Sequence, residues 1–379
     1  MAQLDQLPRT AASGWIASRP DHRDFSLGGD DPTPLGQRVL DALDRRAKAP
    51  ADAPAFTLDV RSFGPVRNQG TLNACCAFAG ISLMEYRVRQ DRGPSGATCS
   101  VGFLYKVTRD LMKKDGAGNT DGNAATDSRT TMKAMTLIGV APDKVFPTSE
   151  ETLDREPDAL TYALAASFRA TAYWRVDTNG MPGDALLAQV KRMIRSDYPL
   201  LFTVHFLVQT TMLDFAKQTA KMEQLPVPPD EQIRALKTLE AVGASLAPGR
   251  SEGLVSATAG AAPLDAQARA QTTMREVQKA LGLPQSRPGS GETSNAGGAA
   301  PAATPTGNFV GHALVACGYD DARKSLLVRN SWSSEWGRDG YGWLPYDYVT
   351  KGLTEDWWFI TDIAFVDPAI FAAAPAPAP

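Results

Sequence analysis

The sequence is poor in the residues that build disulfide frameworks and metal centres, with four cysteines and three histidines among 379 residues. Cys75 and Cys76 are adjacent, and neighbouring cysteines rarely pair with each other, so no disulfide framework is predicted. The Cys-x-x-Cys spacing that is typical of structural zinc sites is also missing. The cysteines therefore favour a reducing compartment and exclude the common zinc-binding patterns.

Long apolar runs and charge of one sign are missing as well. No run approaches the ~18 apolar residues of a membrane-spanning helix, and the first residues lack the basic and apolar stretches of a secretory signal. The net charge is -3, and the basic residues are scattered, which predicts neither a nucleic-acid partner nor a membrane partner. We therefore expect a cytoplasmic protein, with export that needs no cleaved signal as the alternative.

Hydrophobic periodicity changes character along the chain. Apolar residues make up 43% of the sequence, which is enough for a substantial core. Helical patterns dominate the first half and strand patterns the second, so we predict an α+β protein with two unlike lobes. The predicted helices cover 75–90, 100–113, 127–138, 157–166 and 184–196, and the predicted strands cover 56–60, 200–206, 313–318 and 325–329.

Composition divides the chain into five segments. An N-terminal arm covers 1–55, and the main domain covers 56–206 and 309–366. Between its two parts lies an insertion at 207–308, with helical patterns at 229–239 and 264–281 and a low-complexity, disordered stretch at 284–307. The Ala/Pro tail at 367–379 is predicted to be flexible.

A thiol nucleophile is indicated by four residues in a fixed chain order. Cys75 opens a helical pattern, and a helix N-terminus lowers a thiol pKa through its unpaired amides and dipole. His312 follows far downstream as the acid/base, and Asn330 would orient it. The Gln69 amide and the Cys75 backbone N–H would bind an oxyanion. Cys76 is the competing nucleophile. The helical period places Cys76 on the apolar face, so we predict that it belongs to the core.

The other histidines are weaker candidates for the base. His205 lies in a strand pattern, where packing or surface exposure is the simpler interpretation, and His22 lies in the arm. Cys99 and Cys317 are expected to be buried and inert.

Three blocks together carry a family resemblance. They are Gln69-Gly70 with Ala74-Cys75-Cys76-Ala77-Phe78, then Gly311-His312-Ala313, then Asn330-Ser331-Trp332 with Trp336-Gly337 and Tyr341. This set resembles the papain-like cysteine peptidases over roughly 56–206 and 308–361. Gly14-Trp15, the stretch 20–25 and Leu72 are similar to the bacterial branch of that family.

The resemblance implies a fold and further roles. A helical left lobe would carry the cysteine, an antiparallel β-rich right lobe would carry the histidine and asparagine, and the cleft would lie between them. Trp332 would shield the Asn330–His312 hydrogen bond from water, and Trp336 would form a wall on the leaving-group side. In the family, roughly 130–150 residues separate the cysteine from the histidine, and the separation between Cys75 and His312 is about 100 residues longer. The insertion at 207–308 accounts for this excess.

Some residues depart from the family pattern. Asn73 replaces a glycine beside the nucleophile; asparagine tolerates a left-handed backbone, but its side chain is expected to narrow the cleft, where Ala74 also lies. Cys76 stands where many relatives have tryptophan. The stretch 122–129 takes the place of the family's pocket segment, so substrate preference does not carry over.

These features predict a cysteine endopeptidase that acts on proteins or peptides and needs no metal or organic cofactor. The alternatives are isopeptide cleavage or transpeptidation by the same thiol, or a binding protein on an inactive peptidase fold. The insertion enters just before the His312 strand, so we hypothesise a lid or an internal inhibitor, with a tolerated loop as the alternative.

Overall fold

In the computed structural model, helices and strands follow one another in the order that the α+β prediction requires. The structure describes residues 14–18, 24–27, 33–93, 98–116, 120–178, 180–207, 212–227, 230, 233–234 and 309–365. The chain divides into two compact units, one made of Met1–Val227 with Val310–Pro379 and the other of Pro228–Phe309. In the second unit residues 230, 233 and 234 are helical, inside the predicted helix at 229–239. The predictions for 264–281, 284–307 and 367–379 lie outside the described residues.

The helices of the first unit begin and end within two residues of their predicted bounds where a helix was predicted. They are α1 Pro34–Arg46, α2 Cys75–Arg92, α3 Val101–Lys114, α4 Ser128–Leu137, α5 Ala159–Ala166, α6 Gly183–Arg195, α7 Met212–Thr219 and α8 Asp347–Thr350, with 3-10 turns at Val60–Phe63 and Glu150–Thr152. Side-chain caps explain several of these starts. The Phe103 N–H donates to the side chain of Ser100, and Asp127 and Asp158 cap α4 and α5 in the same way.

The strands form one large sheet and one small one. They are β1 Ala55–Thr57, β2 Phe168–Ala170, β3 Tyr173–Arg175, β4 Leu200–Leu207, β5 Phe309–Asp320, β6 Ser325–Arg329, β7 Tyr341–Pro345, β8 Thr354–Ile360 and β9 Ile363–Phe365. The large sheet has the order β3-β8-β4-β5-β6-β7, with β1 also paired to β5, and β2 pairs with β9 in the small one. The pairs β5–β6, β6–β7, β3–β8 and β4–β8 are antiparallel. The predicted helical lobe and antiparallel β-rich lobe are thus confirmed.

Two differences from the prediction have clear physical causes. The arm at 1–55 contains α1, which begins at a Thr33 cap with proline in its first turn and buries Leu40 and Leu43. The arm as a whole is polar and rich in proline and alanine, which favoured an irregular segment over a helix in the prediction. The compact unit also continues to Val227 instead of ending at 206. There the Leu225 N–H donates to the Trp343 carbonyl and the Trp343 N–H to the Glu223 carbonyl, which ties 223–225 to β7.

The described part of the chain contains no helix that combines the length and the apolar character needed to cross a membrane.

Candidate active site

Cys75 is the first residue of α2, and its side chain is 0% exposed. The preceding residue, Ala74, is the N-cap and offers no capping side chain. Burial opposes ionisation of the thiol, but hydrogen bonding from Cys76 and His312, the imidazole charge and the Ala313 N–H together lower the pKa of Cys75 well below its ordinary value. The local environment therefore favours a thiolate at this position.

Cys76 has the opposite electrostatics although it is the next residue. Its thiol lies 3.5 Å from the carbonyl oxygen of Thr126 and 3.7 Å from the Ser128 hydroxyl. Burial, followed by the interaction with Cys75, raises the pKa of Cys76 well above the usual thiol range. Cys76 is thus held neutral as a donor, which supports Cys75 as the nucleophile of the pair. Burial also raises the pKa of Cys317 to about 12, and all four cysteines are free.

His312 lies in β5, and its ring is oriented by Asn330. The Asn330 Oδ1 atom lies 2.9 Å from His312 Nε2 and 2.7 Å from the backbone N–H of Ser331. Because the Ser331 N–H requires an acceptor, the Asn330 atom is the oxygen, and His312 Nε2 must carry the proton. The other ring nitrogen, Nδ1, is buried and forms no hydrogen bond of regular geometry with a described residue, so the interaction of His312 with the Cys75 thiol is looser than a regular hydrogen bond. Nδ1 is therefore the nitrogen left for the Cys75 thiol.

Two buried indole rings lie beside this pair. Trp332 is 0% exposed and stacks on the His312 ring, with 4.7 Å between centroids. Trp336 packs edge-on against Trp332 at 5.6 Å. Its Nε1–H donates to the Thr219 hydroxyl at the end of α7, 3.0 Å away. The stacking of Trp332 fits the predicted shielding role. Trp336 is buried beside the end of α7, and its role as a cleft wall stays a prediction.

Gln69 is held by the residue that follows Asn330. The Ser331 hydroxyl donates to Gln69 Oε1 at 2.5 Å, and Gln69 Nε2 donates to the Leu72 carbonyl at 2.9 Å. The Gln69 backbone N–H also donates to the Ser331 carbonyl. The hydrogen bond from Ser331 thus orients the Gln69 amide, with Oε1 towards Ser331 and the N–H groups of Nε2 on the other side. Ser331 belongs to the Asn330-Ser331-Trp332 motif, but no local signal in the sequence indicates this contact.

Asn73 does not adopt the left-handed conformation that its glycine-replacing position suggested. It is absent from the described non-glycine residues with positive φ. Its backbone N–H donates to Asn123 Oδ1 and its side-chain amide to the Asn123 carbonyl, both at 2.7 Å. The Asn73 side chain is therefore tied to the 120–126 segment rather than projecting freely across the site.

The N-terminal arm reaches this site, which sequence reasoning missed. Gly14 lies so close to the Asn73 backbone that an added Cβ would overlap it. The Trp15 ring lies so close to Gly311, the residue before His312, that a Cβ on Gly311 would overlap the ring. The Thr126 N–H donates to the Gly14 carbonyl at 2.8 Å, and the Ile16 N–H to the Thr126 carbonyl at 3.1 Å. The sequence predicted an arm without contacts to the site, but Gly14 is buried and the segment contacts Asn73 and Gly311, which lie near Cys75 and His312 in the chain.

His205 is not part of the Cys75–His312 cluster in any described contact. Its Nε2 pairs with Glu355 at 2.6 Å, and its ring packs edge-on against Trp15. His22 lies outside the described residues. The described part of the chain also brings together no group of three metal-binding side chains.

Comparisons with known proteins agree with this geometry. The family model described as papain family cysteine protease matches residues 296–356, which include His312 and Asn330. An uncharacterized peptidase C1-like protein of Acanthamoeba polyphaga mimivirus is 43% identical over 61 residues, which are 16% of this chain and 19% of that protein. The match therefore spans about a fifth of that relative.

Two solved structures align over most of the chain. Xylellain, a cysteine protease from Xylella fastidiosa, aligns with a TM-score of 0.56 and 18% identity over 94% of this chain and 97% of its own. A procathepsin B from Trypanosoma congolense aligns with a TM-score of 0.50 and 12% identity over 95% and 87%. The chain therefore has the papain-like fold, and its segment 296–356 matches the family model of the papain family cysteine proteases.

Proposed function

We propose that this chain hydrolyses peptide bonds through a thiolate on Cys75. The observation that carries the proposal is the environment of that thiol, which opens α2 beside His312 and has a strongly lowered pKa. A lowered pKa makes a cysteine nucleophilic at neutral pH. Cys99 and Cys317 lack this environment, because burial raises the pKa of each thiol above its ordinary value.

In the first step the thiolate attacks the carbonyl carbon of the peptide bond. A C–S bond forms, and the carbonyl electron pair moves to oxygen. The Gln69 side-chain amide and the Cys75 backbone N–H donate to this oxyanion. The contacts of Gln69 with Ser331 and Leu72 support this role, since a pre-oriented donor costs no reorganisation during the reaction.

In the second step the C–N bond breaks, and His312 Nδ1 gives its proton to the departing amine. His312 then takes a proton from water, the hydroxide oxygen attacks the thioester, and the C–S bond breaks to restore the thiolate. The Asn330 bond to Nε2 holds the ring so that the same nitrogen serves both transfers. No metal or organic cofactor takes part in this scheme.

Endopeptidase activity on proteins or peptides is the finer part of the proposal. Cys75 and His312 are both 0% exposed, and the arm residues Gly14 and Trp15 lie against the neighbours of each. A substrate must therefore displace this segment before the thiolate can reach a carbonyl.

The test compares three full-length chains on a library of unstructured peptides, read by mass spectrometry. The expected result is cleavage at internal bonds by the unmodified chain and by Cys99→Ala, and no cleavage by Cys75→Ala. Cys99 is the matched control, because it is a buried thiol in the same lobe with a raised pKa. Full activity in Cys75→Ala would refute the proposal, and cleavage confined to peptide ends would refute only the endopeptidase assignment.

A further inference from the structure

Three hydrogen bonds join the turn before Cys75 to Asn123, which lies in the segment between α3 and α4. The Asn73 backbone N–H donates to Asn123 Oδ1, and the Asn73 side-chain amide donates to the Asn123 carbonyl, both at 2.7 Å. The Asn123 side-chain amide donates to the Thr71 carbonyl at 2.8 Å. One side chain thus accepts from one end of the 71–73 turn and donates to the other end, which fixes the two backbone groups relative to each other.

The stretch that leads into α2 relies on such local bonds for its shape. Residues 69–74 form neither a helix nor a strand. Within the stretch, the Leu72 N–H donates to the Gln69 carbonyl at 3.0 Å, and Gln69 Nε2 donates to the Leu72 carbonyl at 2.9 Å. Ala74 is the N-cap of α2 and offers no capping side chain. The bonds to Asn123 therefore tie this stretch to a reference point outside itself.

Asn123 is itself held from the interior by two buried side chains of α3. The Tyr105 hydroxyl donates to the Ala124 carbonyl at 2.6 Å and lies 3.3 Å from Asn123 Oδ1. One helical turn later, the Arg109 guanidinium donates to the Thr120 carbonyl at 3.2 Å and lies over the Tyr105 ring, 4.5 Å from its centre. Tyr105 is 0% exposed and Arg109 is 1% exposed. Asn123 thus connects the turn before Cys75 to a buried part of the lobe.

A carboxylate adds a second anchor at the residue before Asn123. The Gly122 N–H lies 2.9 Å from Asp154 Oδ2, and Arg109 donates both to Asp154 Oδ1, at 2.7 Å, and to the Gly122 carbonyl. Gly122 has a φ of 66°, which glycine adopts without the strain that a Cβ would cause. The hydrogen bond from Arg109 lowers the pKa of Asp154, so the anchor stays charged at neutral pH.

The direction of the Cys75 backbone N–H depends on the residues that precede it. This N–H lies in the peptide plane that Cys75 shares with Ala74, and Asn73 is the last residue before that plane with a bond to Asn123. A donor stabilises an oxyanion only when it already points at the place where the charge develops. A turn that is free to shift would therefore weaken the oxyanion bond without altering the thiol itself.

We infer that Asn123 is a positioning residue for the oxyanion site. By holding Thr71 and Asn73, it fixes the path of the chain into α2 and with it the direction of the Cys75 backbone N–H. Asn123 acts through this turn rather than on the reacting atoms. The inference rests on the proposed peptidase function, which supplies the oxyanion.

The kinetic test uses the full chain with Trp15→Ala as the parent, so that release of the arm is the same in every variant. Asn123→Ala removes both side-chain bonds to the turn. It should lower kcat about tenfold and change KM by less than about twofold, because an oxyanion donor acts mainly in the transition state. Asn123→Asp keeps an acceptor for the Asn73 N–H but places an oxygen against the Thr71 carbonyl. Its kcat relative to Asn123→Ala should rise as the pH falls towards ~4, since the protonated carboxyl can donate to that carbonyl again.

Asp121→Asn is the matched control, because it changes an exposed residue of the same segment that pairs with Lys113 on the surface. A surface pair of this kind contributes little, so kcat should stay within about twofold of the parent chain. The inference is overturned if Asn123→Ala keeps the kcat of the parent chain, or if its loss lies in KM alone.

Two reagents separate failure of this inference from failure of the peptidase proposal. With a short capped peptide that ends in glycinal, the Cys75 thiolate forms a C–S bond to the aldehyde carbon, and the carbonyl electron pair moves to an oxygen that lies where the oxyanion would lie. With a haloacetamide, the sulfur displaces a halide ion and no oxyanion forms. Asn123→Ala should weaken the Kd of the aldehyde about tenfold and leave the alkylation rate of Cys75 unchanged.

Equal aldehyde affinity in the parent chain and in Asn123→Ala would overturn the inference, whatever the chain hydrolyses. A parallel loss of both reactions would also overturn it, because it would show damage to the thiol rather than to the oxyanion donor. Weaker aldehyde binding with intact alkylation, in a chain that cleaves no peptide, would support the role of Asn123 and refute only the peptidase function.

Discussion

The indole ring of Trp15 lies directly against the backbone of Gly311, the residue that precedes His312 in β5. A segment from the start of the chain thus contacts the strand that carries the acid/base candidate. Gly14, the residue before Trp15, lies equally close to the backbone of Asn73, which is two residues before Cys75. The arm therefore lies against the residues next to both reactive groups, and four consequences can be measured.

The first prediction concerns the fit of Gly311. A Cβ at this position would overlap the Trp15 ring, so Gly311→Ala should expel the indole and expose Cys75. Alkylation of Cys75 by a haloacetamide should become several-fold faster than in the unmodified chain. In the Trp15→Ala background, the same substitution should add little, since the two changes act on one contact. Independent, additive effects would contradict this account of the arm.

The second prediction concerns the hydrogen bond from Cys76 to Cys75. Removal of that donor by Cys76→Ala should raise the pKa of Cys75, because the bond stabilises the thiolate. The acidic limb of the kcat/KM profile should therefore move to higher pH. Cys76→Ser keeps a donor at the same place and should shift the limb less. An unchanged profile in Cys76→Ala would show that the vicinal thiol does not tune the nucleophile.

The third prediction separates Gln69 from its support. Gln69→Ala should lower kcat about 100-fold with little change in KM, since an oxyanion donor acts mainly in the transition state. Ser331→Ala keeps the amide but removes the hydroxyl that holds Gln69 Oε1, so a loss of about tenfold is expected. Steady-state kinetics measure both, with the exposed Gln90→Ala as control. A wild-type kcat in Gln69→Ala would exclude the oxyanion role.

The fourth prediction follows from the titration of Asp356. Burial, then the charge of Glu355, raises the pKa of Asp356 from 3.8 to about 7. The folded chain thus keeps a proton that the unfolded chain loses near pH 4, so this contribution to stability is present below pH 4 and lost as pH rises towards about 7.

Urea unfolding compares the free energy of unfolding of the unmodified chain with that of Asp356→Asn. Between pH 4 and pH 8 the unmodified chain should lose roughly 2–4 kcal/mol of stability relative to Asp356→Asn. Asp339→Asn should show no such shift, because Asp339 is exposed. A flat difference for Asp356→Asn would contradict the raised pKa.

Sequence was most informative where a role depends on close neighbours in the chain. Cys75 at the start of α2 and the Asn330-Ser331-Trp332 run could be interpreted from local patterns, and the helix predicted over 100–113 formed as α3. The arm could not be placed in this way. Its contacts with Thr126, Gly311 and Asp356 join segments more than a hundred residues apart, and a single sequence does not record such packing.

Strand β8 shows the same limit. Its Trp357 and Trp358 are buried, and the left-handed Asp356 beside them carried no local signal in the sequence. Asp356 accepts a hydrogen bond from Trp15, which lies at the other end of the chain. A contact of this kind becomes visible only when the strands are assembled.

The most direct test of the central claim is the pH dependence of Cys75 alkylation in the full chain with Trp15→Ala. A neutral haloacetamide labels the chain, and mass spectrometry assigns the labelled cysteine at each pH. We predict that Cys75 is labelled selectively, with a rate that has already reached its plateau well below pH 8, and that His312→Ala removes this reactivity at low pH. A labelling rate that rises only near the ordinary thiol pKa of ~8.5, with or without His312, would contradict the thiolate–imidazole account.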